Sequence, residues 1–218
     1  MLAFMDTCMR RCMLPVLAVV FPFGMVISLQ GLEVFRLFGA ERLLSSLASV
    51  AIIRELSPVL ASVLIAAQGG SANAAELGAM RIEEELDATE VMAVDSLSFH
   101  VVPRVVALTL ACTVLNVLGT IGGLAGSFLT AVYLKGVNAG VFLSGLGTYT
   151  TSFDLYAAFL KTAVFGLIIG LVSCYLGFHA RGGAAGVGRA VNNTVVYSVL
   201  FFITANYFMT SALFGVAG

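Results

Sequence analysis

Residues 54–104 read RELSPVLASVLIAAQGGSANAAELGAMRIEEELDATEVMAVDSLSFHVVPR, and they separate what hydrocarbon can hold from what it cannot. A long apolar sequence stops at Gln68-Gly69-Gly70 and gives way to the one strongly charged segment. From Glu76 to Asp95 lie Glu76, Glu83, Glu84, Glu85, Asp87, Glu90 and Asp95 against a single base, Arg81, so more than half of the 12 acidic residues fall there. Ile82, Leu86 and Ala93 recur at near-helical spacing, with Glu83, Asp87 and Glu90 on another face. The pattern predicts a short amphipathic helix over residues 80–94, too polar to span a membrane. Charge pattern alone leaves two readings open: a solvated loop helix, or a docking element for a soluble partner.

Outside this stretch the chain is hydrocarbon-compatible. Of 218 residues, 60% are hydrophobic and 11% charged, with a mean hydropathy of +1.03. Soluble domains carry about 25% charged residues, so polar side chains cannot cover a globule of this composition. The chain reads as an all-α integral membrane protein. A spanning helix needs about 20 apolar residues, which leaves room for about five spans and for no sizeable soluble domain. A net charge of −1 gives no reason to expect nucleic acid.

The spans are expected at residues 12–34, 43–68, 104–134, 155–178 and 190–214. Arg10-Arg11 ahead of an apolar run resembles a signal peptide, but the run is long and no small-residue cleavage pattern closes it. In the second span Arg54 and Glu55 are costly to bury unless they face protein, water or each other. They read either as a structural ion pair closing a helix contact or as part of a transport path near Pro58. Gln68–Asn73 is expected to break the helix, with Ala74 restarting it. Pro103 suits a first helical position. Gly119, Gly122, Gly123 and Gly126 form overlapping G-x-x-x-G pairs, which let helices approach closely, within a subunit or between subunits. Lys161 is placed to snorkel toward the headgroups. Loop bases put the N-terminus, the acidic segment and the 179–189 loop in the cytoplasm and the C-terminus outside.

Catalytic constellations are scarce. Cys8, Cys12, Cys112 and Cys174 make no disulfide framework, and no His or further Cys joins Cys8 and Cys12 as metal ligands. Two histidines exclude a His-rich di-iron membrane oxidase; His100 is expected at a membrane interface and His179 in a basic loop, and Ser71 has no predictable base. The glycines of GGAAGVG lack the Lys of a phosphate loop, so any ATP and Mg must be held by another chain. No catalytic residue, metal or cofactor is expected in this one.

The segments RELSPVLASVLIAA, AAELGAMRIEEELDATEVMAVD, VVPR, KTAVFG and GGAAGVGRAV, in this order, resemble the MlaE/YrbE permease family, the membrane subunits of Mce-type ABC lipid transporters. The resemblance implies a single permease domain over 1–218 in the inner membrane, paired with a second copy or a sister permease. Its partners would be a cytoplasmic ABC ATPase and Mce-domain substrate-binding proteins, and its cargo a phospholipid, fatty or mycolic acid, or sterol. The helix between the second and third spans would be the coupling helix, with Arg81, Glu83, Glu84, Asp87, Glu90 and Asp95 coupling to the ATPase. Arg54, Glu55 and Glu76 match positions on or beside the translocation path. Three departures stand out: Gln68 where an Arg is common, Ser96 where a Pro follows the Asp, and a start too close to the first span for the family's interfacial helix. The first two suit one member of a heterodimeric pair. The rival from another class is a self-sufficient secondary transporter using Arg54, Glu55 and Glu76 as ion relays. Interrupted helices suit it, whereas five spans without an inverted repeat do not.

Overall fold

The computed structural model describes residues 2–40, 43–92 and 95–215, and the side chains of residues 2–4, Glu90 and Tyr149 lie outside the described set. Every regular element among the described residues is helical. The first helix, α1, covers Leu2–Leu37 and runs through Pro15 and Pro22. The others are α2 (Leu44–Ile82), α3 (Glu85–Val91), α4 (Leu97–Leu134), α5 (Ala139–Tyr149), α6 (Ser152–Phe178) and α7 (Gly183–Phe214). Five of these, all but α3 and α5, are long and apolar enough to cross a membrane. The chain is a multi-pass membrane protein.

Local chemistry sets the ends of the shorter pieces. The Asn138 side chain accepts from the backbone N–H of Gly140 at 2.9 Å and so caps α5. Asp154 in the first turn of α6 accepts from the Thr151 N–H at 3.0 Å, the reach-back half of a capping box. At the start of α7, Gly182 and Gly183 adopt φ of 89° and 66°, which only glycine enters without strain.

The expected break at Gln68–Asn73 does not occur. The backbone widens to a π-type turn over Ala66–Gly70 and continues as α-helix from Ser71 to Ile82. The glycines are contact residues here. A Cβ on Gly69 would lie 2.7 Å from Cys8 Sγ, and one on Gly70 would lie 3.0 Å from Ile169. Inside a membrane bundle a broken helix would orphan backbone groups, and a wide turn keeps them paired. The helix α4 also opens ahead of Pro103, through a wide turn over Leu97–Val101 that accommodates the proline. The stretch expected as one helix over 80–94 is divided. The α2 helix ends at Ile82, Glu84 takes a left-handed φ of 61°, and α3 follows; Ala93 and Val94 lie outside the described residues.

The chain forms two compact units. The first comprises residues 1–12, 62–113 and 162–218. In it, glycines of α6 meet neighbouring backbone. A Cβ on Gly166 would lie 2.7 Å from Thr109 Cα, and one on Gly177 would lie 3.0 Å from the Ala74 carbonyl oxygen. Phe165 of α6 packs on Phe202 of α7 with ring centroids 5.4 Å apart.

The second unit comprises residues 13–61 and 114–161. Its core gathers Leu32, Leu44, Ala48, Ile52, Ala131 and Phe142. Here α1 and α4 run in backbone contact. A Cβ on Gly126 would collide with the Phe21 carbonyl, one on Gly24 with the Gly123 carbonyl, and one on Gly122 would come within 2.8 Å of Leu17. A Cβ on Gly119 would lie 2.8 Å from the Ser57 hydroxyl oxygen.

Candidate functional site

In the second unit, a π-type turn over Val50–Leu56 carries Arg54 and Glu55. Each has an ion partner on α6. Arg54 Nη2 lies 2.9 Å from Asp154 Oδ1, and Glu55 Oε1 lies 2.8 Å from Lys161 Nζ. Lys161 also donates to the Arg54 carbonyl at 3.0 Å. The expectation that Lys161 snorkels is thereby corrected: its side chain is 0% exposed. The physical reason is α2, which brings a carboxylate and a carbonyl to an ammonium with three donors. Reaching for water would leave both acceptors behind. Two ion pairs thus tie α2 to α6, with Asp154 and Lys161 the more deeply buried members.

In the first unit, Glu76 on α2 pairs with Arg104 on α4 at 2.9 Å. Arg104 also donates to Asn73 Oδ1 at 3.1 Å, and the fully buried Asn73 passes its own donors to Ser173 Oγ at 2.8 Å and Cys174 Sγ at 3.2 Å. A polar ladder therefore crosses from α4 through α2 to α6. Glu76 also lines a cavity of about 240 Å³ together with Cys8, Arg11, Cys12 and Gln68. Among the described residues, the buried Gln68 Oε1 has no hydrogen-bond partner. The cavity thus offers a cation and a carboxylate among apolar and thiol groups.

The acidic segment lies in the same unit. Glu83, Glu84, Glu85 and Asp87 are exposed, and Leu86 is buried between them. Arg81 pairs with Asp87 across the turn and lies 5.9 Å from the centroid of the Phe178 ring. This clasp folds α3 back onto the end of α2. Val91 and Met92 beside it are 88% and 68% exposed. Asp95 accepts from Leu97 N–H and Ser98 Oγ, which holds its carboxyl below the usual range and caps α4. Glu90 lies in α3, its side chain outside the described set.

The glycines singled out from sequence, Gly119, Gly122, Gly123 and Gly126, face α1 and Ser57 within the second unit. Sequence reasoning missed Asn73, Asp154 and the pairing roles of Arg104 and Lys161. For the last two a signal existed, since they stand in VVPR and KTAVFG. Among the described residues no group of three His, Cys, Asp or Glu side chains is placed to hold a metal.

A family model described as permease MlaE matches residues 1–212. The chain belongs to the MlaE permease family. A probable ABC transporter permease protein of Rickettsia bellii is 36% identical over 204 residues, 93% of this chain and 79% of the relative. The intermembrane phospholipid transport system permease protein MlaE of Haemophilus influenzae is 34% identical over 193 residues, 88% of this chain and 74% of the relative. Protein TRIGALACTOSYLDIACYLGLYCEROL 1, chloroplastic, of Arabidopsis thaliana is 33% identical over 195 residues, 89% of this chain and 56% of the relative. In this MlaE-family permease the charged residues singled out from sequence fall at the Arg54–Asp154 and Glu55–Lys161 pairs, the Glu76–Arg104 ladder and the α2–α3 segment with Asp95.

Proposed function

We propose that this chain is the membrane subunit of an ABC transporter that moves lipid between the inner membrane and an Mce-protein conduit, driven by a separate cytoplasmic ATPase. The observation that carries the coupling role is the α2–α3 turn. It combines an exposed carboxylate cluster (Glu83, Glu84, Glu85, Asp87) with an apolar tip (Val91, Met92). Charge around an exposed apolar patch suits a transient protein contact: the apolar part supplies affinity and the charge supplies orientation. The turn is joined without interruption to α2, which carries Glu76. A push on the turn would bear directly on the helix that holds the Glu76–Arg104 pair.

The reaction in this reading is movement, not bond chemistry. ATP and Mg belong to the ATPase, and this chain contributes a lever and a wall. Two copies, or this chain and a sister permease, would enclose the lipid. Arg11, Gln68 and Glu76 around the first-unit cavity offer the polar contacts a headgroup needs. In this reading the N-terminus and the α2–α3 turn are cytoplasmic and the C-terminus is external. Phospholipid is the favoured cargo class, because the named transport system of the Haemophilus relative moves it.

The test is co-purification. With Glu83, Glu84 and Asp87 all changed to Lys, the chain should still insert in the membrane but no longer retain its ATPase. Retention of the ATPase at the wild-type ratio would remove the coupling role from this turn.

A further inference from the structure

A cavity of about 270 Å³ lies within the second unit, lined by α2, α4, α6 and the turn before α6. Its rim is apolar and opens on the surface of a spanning segment, with Ile121 60% and Phe159 41% exposed. Its lining also includes Asn116, which is only 3% exposed.

The hydrogen bonds around Asn116 are specific. Ser57 Oγ donates to Asn116 Oδ1 at 2.8 Å or to the Asn116 carbonyl at 2.9 Å. Thr120 Oγ1 lies 3.0 Å from Ser57 Oγ and 2.9 Å from the same carbonyl. The carboxamide oxygen is thereby engaged. The carboxamide nitrogen, with two N–H donors, has no partner among the described residues. A donor left unmade in a water-poor setting is penalised, so a ligand that supplies an acceptor there is favoured.

Depth decides which acceptor fits. The uncharged part of α4 runs from Val105 to Leu134, and Asn116 stands within about a turn of its middle. The ester carbonyls of a bilayer lipid sit near the headgroups, about 15 Å from the centre of a hydrocarbon layer about 30 Å thick. An ordinary saturated chain passing Asn116 therefore offers nothing to accept a hydrogen bond. A chain carrying oxygen near its own middle does. At 270 Å³ the cavity is also below the roughly 300–1,000 Å³ of pockets that take a whole small molecule. It has room for one chain segment.

We infer that this groove binds a single lipid acyl chain bearing a mid-chain hydroxyl, whose oxygen accepts from the Asn116 carboxamide. The inference goes beyond the transport reading and does not rest on it, because it concerns occupancy of a side groove by either a resident lipid or a passing one. The probes are two phosphatidylcholines with the same photoreactive group at the chain end, one carrying a stearoyl chain and one a 12-hydroxystearoyl chain. Each is added to membranes containing the full chain, and the crosslinked peptides are mapped by mass spectrometry.

Crosslinks are expected on residues 117–124 and 153–159, with the hydroxylated probe favoured about fivefold, the factor that one net hydrogen bond corresponds to. Asn116→Leu should bring that ratio to one. Ile121→Trp fills the mouth without touching Asn116 and should abolish crosslinks from both probes at these peptides. It decides the matter if the Asn116 variant does not insert. Equal yields of the two probes in the wild type, an unchanged ratio in Asn116→Leu, or crosslinks that survive Ile121→Trp would each overturn the inference.

Discussion

Lys161, wholly buried, meets Glu55 at 2.8 Å, while the neighbouring Arg54 turns away to Asp154 at 2.9 Å. The two pairs are unequal in exposure. The Glu55 side chain is 39% exposed against none for Lys161, so the carboxylate reaches the surface of the chain and the ammonium does not.

That asymmetry orders two substitutions. Glu55→Gln leaves a buried ammonium without its counter-charge and should lower stability by about 3 kcal/mol. Lys161→Met leaves a carboxylate at the surface of the chain, free to turn away from the apolar interior, and should cost about half as much. Thermal unfolding of the purified protein in detergent measures both. The reverse order would mean that Lys161 is not held as a buried cation.

The Glu76–Arg104 pair supports a second test. Glu76→Ala should assemble and insert yet transport lipid at a small fraction of the wild-type rate in reconstituted vesicles. Arg104→Ala should match it, and the double variant should be little worse than either single one, since residues in one polar network couple strongly. Wild-type flux in Glu76→Ala would take this pair off the transport path.

The α1–α4 contact gives a third. Gly126→Ala places a methyl against the Phe21 carbonyl, so the helices must part, with a loss of about 1–3 kcal/mol. Gly147→Ala in α5 meets nothing within 4 Å and should be neutral or slightly stabilising. Comparing the melting temperatures of the two variants isolates close approach from helix propensity.

Glu84 gives a fourth. Its φ of 61° costs a residue with a Cβ about 1 kcal/mol. Glu84→Gly should therefore raise the melting temperature, whereas Glu84→Val should lower it. If the turn straightens when the ATPase docks, Glu84→Gly should also weaken retention of the ATPase on co-purification, because it stabilises the bent form.

The five long helices and the acidic turn were legible from sequence because hydropathy and charge are local properties. Ion partners were not. Arg54 and Glu55 are adjacent and of opposite sign, so pairing with each other was the economical reading. Which residues they meet depends on which helix lies alongside, and nothing local encodes that. Gln68-Gly69-Gly70 misled for a different reason. The missing side chain that suits a break also suits a tight contact, and only the presence of Cys8 and Ile169 alongside decides between them. Lys161 was misplaced because its depth was judged from its own helix, when its partner lies on another.

All four thiols, Cys8, Cys12, Cys112 and Cys174, are buried. A membrane-impermeant maleimide added to intact cells should therefore find little native background to react with. Single cysteines can be introduced at exposed positions in the unaltered chain, and the sidedness of each loop can be read without first building a cysteine-free parent.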